Sequence, residues 1–184
     1  SEQAKRGGEM IKRLRSMVSK RPAKAEMATL NTLAKNVVEL CNHQLMEHRV
    51  MVELHFETEE SPVKVDTIQI EQVMLNLIQN AIDAMADTPH TARRIELTIR
   101  PAKNNQVAVA FRDHGKRLTQ DELDSVFDPF YTTKDKGMGM GLAISESIAL
   151  AHGGSLTARA NPDRGATFTL TLPVFATGSA KLDS

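Results

Sequence analysis

Met10, Ile11, Leu14, Met17 and Val18 recur at i, i+1, i+4, i+7 and i+8, the spacing of one apolar stripe on a helix. Lys12, Arg13, Arg15 and Lys20 lie off that stripe, and Pro22 ends it. The Gly7-Gly8 pair weakens the helix locally. A lone helix this short is marginal in water, so its stripe needs a partner, either another element or a second copy. A second amphipathic helix is expected from Leu30 to His48, with Thr29 or Asn31 as its cap. Residues 50–58, VMVELHFET, alternate as a strand does. PVKVD is a short strand leading to Asp66, and residues 68–86, IQIEQVMLNLIQNAIDAMA, form a long helix.

Ile95, Leu97 and Ile99 alternate, as do Val107, Val109 and Phe111, with Asn104-Asn105 at the turn between them. That is a hairpin with one buried face. A short helix over Gln120–Phe127 interrupts residues 113–140, which otherwise lack periodicity. Leu142 to His152 reads as a helix closed by Gly153-Gly154. A second hairpin follows: Leu156, Ala158 and Ala160, the turn NPDRG, then Ala166, Phe168, Leu170 and Leu172. Residues 176–184 read as a frayed tail, and no internal repeat is visible. Helices mixed with antiparallel hairpins predict an α+β fold, one sheet with helices packed on one face. The irregular stretch stands out, because loops beyond ~12–15 residues in a compact domain are functional or disordered as a rule.

Composition narrows the field. The 184 residues suffice for one good core or for one domain with an appendage. Hydrophobic residues make up 41% and charged residues 25%, as in ordinary globular domains. Lys plus Arg equals Asp plus Glu, 23 each, so the whole-chain charge gives no argument for nucleic acid or acidic lipid. Aromatics at 4%, with no Trp, weaken a base-stacking platform. The single cysteine, Cys41, excludes an internal disulfide and fits a reducing compartment. It lies in an apolar helical pattern with Val37, Val38, Leu40 and Leu45, as a buried structural thiol would. No apolar run approaches the ~20 residues that span a bilayer, and no signal peptide is visible. The first residue is Ser rather than Met, as expected of an excised piece.

Three places can carry chemistry. On a wheel with 100° steps, Asn80 and Asp83 fall within about 40° of Asn76. Val73, Met74, Leu77, Ala81 and Met85 cover the other side. Solvated faces favour Lys and Glu, whereas Asn is a poor helix former. The edge is therefore either a solvated face or a set of the hard oxygen ligands that Mg²⁺ takes. Asp113 ends a strand just before Gly115, as a turn aspartate does, or as a recessed carboxylate accepting a hydrogen bond from a base or sugar. KGMGMGLAIS, residues 136–145, is no dinucleotide fingerprint: TTKDK precedes it instead of an apolar strand, and Ile144 stands where a third glycine belongs. A hinge remains, or a phosphate cradle at a helix N-terminus, with Lys134 and Lys136 adding positive charge.

In combination these stretches resemble the catalytic, ATP-binding domain of bacterial sensor histidine kinases. EQVMLNLIQNAIDAM is similar to that family's asparagine box, DHG to its first glycine box, VFDPFYTTK to its phenylalanine box and KGMGMGLAIS to its second glycine box. They come in the family's order over residues 66–173, and NAIDAM, FDPFYTTK and AHGGSL are close to the nitrogen-regulation, oxygen-sensing and dicarboxylate-sensing branch. The resemblance implies a two-layer α/β sandwich of the Bergerat kind, with ATP held between helices and sheet under a lid. It implies residues 1–21 as the end of a dimerisation and histidine-phosphotransfer helix, 22–175 as the catalytic domain with its lid at about 114–140, and 176–184 as a tail. It implies that Asn80 holds Mg²⁺, that Asn76 lies near the phosphates, and that Asp113 accepts the adenine amino proton with Gly115 allowing close approach. Lys134, Gly139 and Gly141 would meet the phosphates, with Asp83, Thr133, Gly137, Leu142 and Thr167 completing the ATP site, and Phe127 and Phe130 would anchor the lid. The implied partners are the chain's own phosphoacceptor domain, a response regulator and a second copy in the full-length protein, with no nucleic acid and no membrane contact by this part. The implied location is the cytoplasmic side of a membrane-anchored sensor.

Two departures sharpen this. The family's second glycine in Asp-x-Gly-x-Gly is Arg117 here, which would be strained if it took a positive φ, or would join Lys116 in phosphate contacts. The phosphoacceptor pattern, His followed by Glu and then Pro, fits none of His43, His48, His55, His90, His114 and His152, so the substrate histidine is expected in a preceding segment. Related ATPases use a glutamate one turn before the metal asparagine to activate water. Asn76 holds that place, which favours kinase over hydrolase. The alternative is a degenerate, non-catalytic module acting through protein contacts, which Arg117 alone supports.

Overall fold

The computed structural model describes residues 24–59, 61–133 and 139–176. The expected first helix, the tail beyond Ala176, Lys134 and Gly137 lie outside them. Strands β1 (Ala25–Thr29) and β3 (Pro62–Asp66) pair antiparallel in a small sheet. Strands β2 (Met51–Phe56), β4 (Arg94–Ala102), β5 (Gln106–Asp113), β6 (Ser155–Ala160) and β7 (Ala166–Pro173) form a five-stranded sheet in the order β2-β4-β5-β7-β6. In that sheet β2 runs parallel to β4, and the other pairs are antiparallel. The helices are α1 (Leu30–Leu40), α2 (Asn42–Glu47), α3 (Thr67–Ala84), α4 (Gln120–Ser125) and α5 (Gly141–Ala151).

Cross-strand register sets the core. Leu97, Phe111 and Phe168 lie in one row, and Ile99, Val109, Leu170 and Leu156 in the next. All are buried, in one cluster with Leu33 and Val37 of α1, Val73, Leu77 and Ala81 of α3, and Ala149 of α5. The alternate positions, among them Glu96, Thr98, Arg100, Arg112 and Thr169, are polar and form the opposite face, as period-2 alternation requires. The result is the expected two-layer sandwich, helices on one face of a mixed sheet.

The small sheet is an addition to that expectation. Each of its strands runs directly into a helix, and each junction is capped. Thr29 Oγ1 accepts the N–H of Thr32 at 3.2 Å, and Asp66 Oδ1 accepts that of Gln69 at 3.2 Å. The cap is therefore Thr29; Asn31 is buried instead. The helix expected through His48 breaks at Cys41, which is buried, and burial pushes its thiol pKa up, as fits a structural residue. Arg93 donates to the carbonyls of His48, Ala86 and Thr88, stapling the exit of α3 to the turn before β2. At the other end of α3, the Asp66 N–H donates to His152 Nε2 at 3.1 Å, tying α3 to the C-terminal end of α5. Among the described residues, no helix is long and apolar enough to cross a membrane.

Candidate functional site

Helix α3 supplies one wall. Ile70, Val73, Met74, Leu77, Ile78, Ala81 and Ile82 turn into the core, which leaves Asn76, Asn80 and Asp83 on a half-buried edge. Asn76 Nδ2 donates to Ser145 Oγ of α5 at 3.1 Å. A Cβ built at Gly141 would lie 2.4 Å from Asn76 Oδ1, so α3 and α5 meet closely at Gly141, where a side chain would push the Asn76 amide aside. Asp83 Oδ1 accepts from Gln79 Nε2 at 3.0 Å.

The far end of the same edge meets the end of β5. A Cβ at Gly115 would lie 2.3 Å from the carbonyl oxygen of Ala84, which fixes the strand exit against the helix exit. Just before it sits Asp113, 3% exposed. Its Oδ1 accepts the N–H of Gly115 at 2.9 Å and that of Ala166 at 3.3 Å. Burial pushes its carboxyl above the usual range, opposed by those two N–H donors and by the charge of His114. A buried carboxylate bonded on one oxygen by backbone donors has acceptor capacity left on the other. Thr167, on the neighbouring strand, is also buried. The two ends are separated by the eight steps from Asn76 to Ala84, a rise of about 12 Å along α3.

The stretch after β5 carries a short helix, α4. Thr119 and Glu122 close a capping box at α4, with Thr119 Oγ1 accepting at 3.1 Å and Glu122 Oε2 at 2.8 Å. Phe127 packs edge-on against Phe168 at 6.3 Å. Phe130 departs from expectation: its side chain is 75% exposed, and its backbone makes the contact, with its N–H donating to the carbonyl of Gly139 at 2.9 Å. Both residues take positive φ, +66° for Phe130 and +68° for Gly139. Arg117 is not among the described residues with positive φ, so the strain conditional on that geometry does not arise there. Lys116 pairs with Glu122 at 3.4 Å on the surface rather than reaching inward. Leu142 packs on the core at the start of α5, and Thr133 is exposed.

Sequence reasoning read NPDRG only as a turn and missed what it holds. Asn161 is 1% exposed and bonds both Asp113 and Thr167. A second group of polar residues lies on the outer face of the sheet, where ligand atoms of Glu53, His55 and Glu96 fall within 4.8 Å of one another. Arg94 lies 3.4 Å from Glu53, and Arg112 3.6 Å from Glu96. These guanidinium groups already balance the carboxylates, which makes the group an ion-pair network on a solvated face.

Residues 65–176 match the family described as histidine kinase-, DNA gyrase B-, and HSP90-like ATPase. The chain is 37% identical over 173 residues to the sensor protein FixL of Bradyrhizobium diazoefficiens, covering 94% of this chain and 34% of FixL. It is 38% identical over 173 residues to the C4-dicarboxylate transport sensor protein DctS of Rhodobacter capsulatus, covering 94% and 26%. The chain thus spans about a third and a quarter of those two proteins. Among solved structures, the catalytic domain of histidine kinase ThkA in a nucleotide-free form aligns with a TM-score of 0.72 at 27% identity, covering 82% of this chain and 96% of that one. The fold also matches ThkA in complex with the response regulator protein TrrA, with a TM-score of 0.75 at 24% identity over 95% of this chain and 49% of that one.

Proposed function

The chain belongs to the histidine kinase-, DNA gyrase B-, and HSP90-like ATPase family, and from that premise we propose that it is the ATP-binding catalytic part of a sensor histidine kinase, serving phosphoryl transfer from ATP to a histidine on a dimerisation domain. The observation that carries this reading is the edge of α3, with a buried carboxylate at one end and the Asn76–Ser145 link to α5 beside Gly141 at the other.

The residues present fit a magnesium nucleotide. Asp113 accepts the adenine amino proton, with Gly115 keeping the strand end close and Thr167 beside it. Asn80 offers its amide oxygen to Mg²⁺, and Asp83 lies one turn on. Asn76, Thr133, Lys134, Gly137, Gly139, Gly141 and Leu142 surround the phosphates, where the N-terminus of α5 favours an anion. The nucleotide supplies the γ-phosphoryl group. The protein's share is positioning and charge neutralisation, which is most of what phosphoryl transfer asks of it. Asn76 carries an amide engaged with Ser145, which cannot take a proton from water, and this favours a kinase over a hydrolase. Residues 114–140 serve as the lid and 1–21 as the end of the dimerisation helix. The full-length protein acts as a homodimer on the cytoplasmic side of the membrane and passes its phosphoryl group to a response regulator.

Titration calorimetry with ATP, with and without Mg²⁺, tests the site. Asp113→Ala is expected to weaken binding at least ~30-fold through the lost charge-assisted bond. Asn80→Ala should remove the part of the affinity that depends on Mg²⁺. Full Mg²⁺·ATP affinity in both variants would sink the assignment.

A further inference from the structure

Asn161 opens the turn between β6 and β7, and polar residues in such turns are ordinarily solvated. This one is 1% exposed and uses its whole amide. Its Nδ2 donates to the backbone carbonyl of Asp113 at 3.2 Å and to that of Arg164 at 2.9 Å. Its Oδ1 accepts the Thr167 hydroxyl at 2.5 Å, and its backbone N–H donates to the carbonyl of Gly165 at 2.9 Å. One side chain thus joins the end of β5, the turn and the start of β7.

The turn it closes is pressed against the Asp113 carboxylate. Gly165 has φ +75°, and a Cβ there would lie 2.2 Å from Asp113 O and 2.6 Å from Asp113 Oδ1. The next residue, Ala166, donates its N–H to that Oδ1. From outside, Arg112 Nη2 holds both carboxylate oxygens of Asp163 at 2.9 Å, pinning the turn to β5 beside Asp113. A carboxylate has two oxygens and free rotation about its last bond. Which oxygen faces a ligand is therefore set by the donors that claim the other one, and here one donor is the residue that follows the turn.

We infer that Asn161 is a positioning residue for base recognition: it holds the 161–165 turn so that Ala166 claims one oxygen of Asp113 and the other is presented to the exocyclic amino group of the base. This rests on the reading of Asp113 as the adenine acceptor. Asn161 touches no reacting atom; it acts through Asp113 and Thr167.

The test compares ATP with inosine triphosphate, which carries a carbonyl where adenine has its amino group and an N1–H where adenine has a bare ring nitrogen. Calorimetric Kd values for both are measured with the 184-residue chain, Asn161→Ala, Asn161→Ser and Asp113→Ala, each checked for a cooperative melt. Asn161→Ser keeps a short polar group in place if the alanine variant does not fold. Wild type should prefer ATP. Asn161→Ala should weaken ATP about tenfold while moving inosine triphosphate less than about twofold, so the preference collapses. Equal weakening of both nucleotides, or an unchanged preference, in the folded Asn161 variants overturns the inference and assigns Asn161 a merely structural role. If Asp113→Ala itself keeps the preference for ATP, the base reading falls and the inference falls with it. If Asp113→Ala loses the preference while the Asn161 variants keep it, only the inference falls.

Discussion

At the end of β5, Asp113 takes two backbone N–H bonds, Asn161 bonds three segments, and both residues are almost wholly buried. Across the groove, Phe130 reaches Gly139 through a backbone hydrogen bond, takes a φ of +66° and leaves three-quarters of its side chain in water. The Asp113 end, to which the proposal gives the base, is assembled by folding itself, so a ligand there would meet little further ordering cost. The end that the proposal gives to the phosphates is joined by a backbone hydrogen bond between two left-handed residues, with the Phe130 side chain adding little packing. On the proposed reading, specificity and closure fall at opposite ends of one helix edge.

The comparison can be broken most forcefully at Gly165. Gly165→Ala puts a Cβ at positive φ against the Asp113 backbone and carboxylate. Strain and overpacking should together cost about 3 kcal/mol and lower Tm by roughly 10 °C. A melt within a degree of wild type would mean that the base end is not rigid. Asp113→Asn is subtler. Burial raises the folded-state pKa of Asp113, so the native chain holds that proton more tightly than the unfolded one. Stability is then lost as pH rises from the ordinary carboxylate range through the raised folded value, and it stays lost above. Asparagine escapes that loss while its amide oxygen still accepts the same N–H groups. Thermal melts against pH should show the variant gaining on wild type through that window and keeping its lead at neutral pH, although ATP binding is impaired. The smallest effect belongs to the phosphate end. Phe130→Gly relieves a left-handed backbone but gains chain entropy when unfolded, for a net stabilisation below about 1 kcal/mol, a shift of a few degrees in a melt. A large destabilisation would show that Phe130 carries more than a joint.

Much of this was legible in the chain. The polar edge of α3 could be read because Asn, Asn and Asp at helical spacing break an otherwise apolar wheel, and both hairpins could be read because their apolar residues alternate. β1 could not: AEMAT is largely exposed and owes its extended form to pairing with β3, a partner distant in sequence. Asn161 could not either, since Asn-Pro is ordinary turn chemistry and burial is a property of what packs around it. Attention to Arg117 as the site of strain was misplaced for a related reason. A glycine replaced in a motif marks where φ can be positive, but the backbone path decides where it is, and that path puts the load on Phe130 and Gly139.

The parallel pairing of β2 with β4 dictates an order of assembly. Antiparallel β4–β5 and β6–β7 close through short turns, whereas β2 can find β4 only after β3 and α3 have crossed over between them. The hairpins carrying Asp113 and Asn161 can therefore each form early, while β2 waits for its partner. A chain emerging from synthesis would hold its β2 segment unpaired until β4 had been made, with Glu53 and His55 on that strand supplying the polarity that keeps a waiting edge from pairing with a stranger.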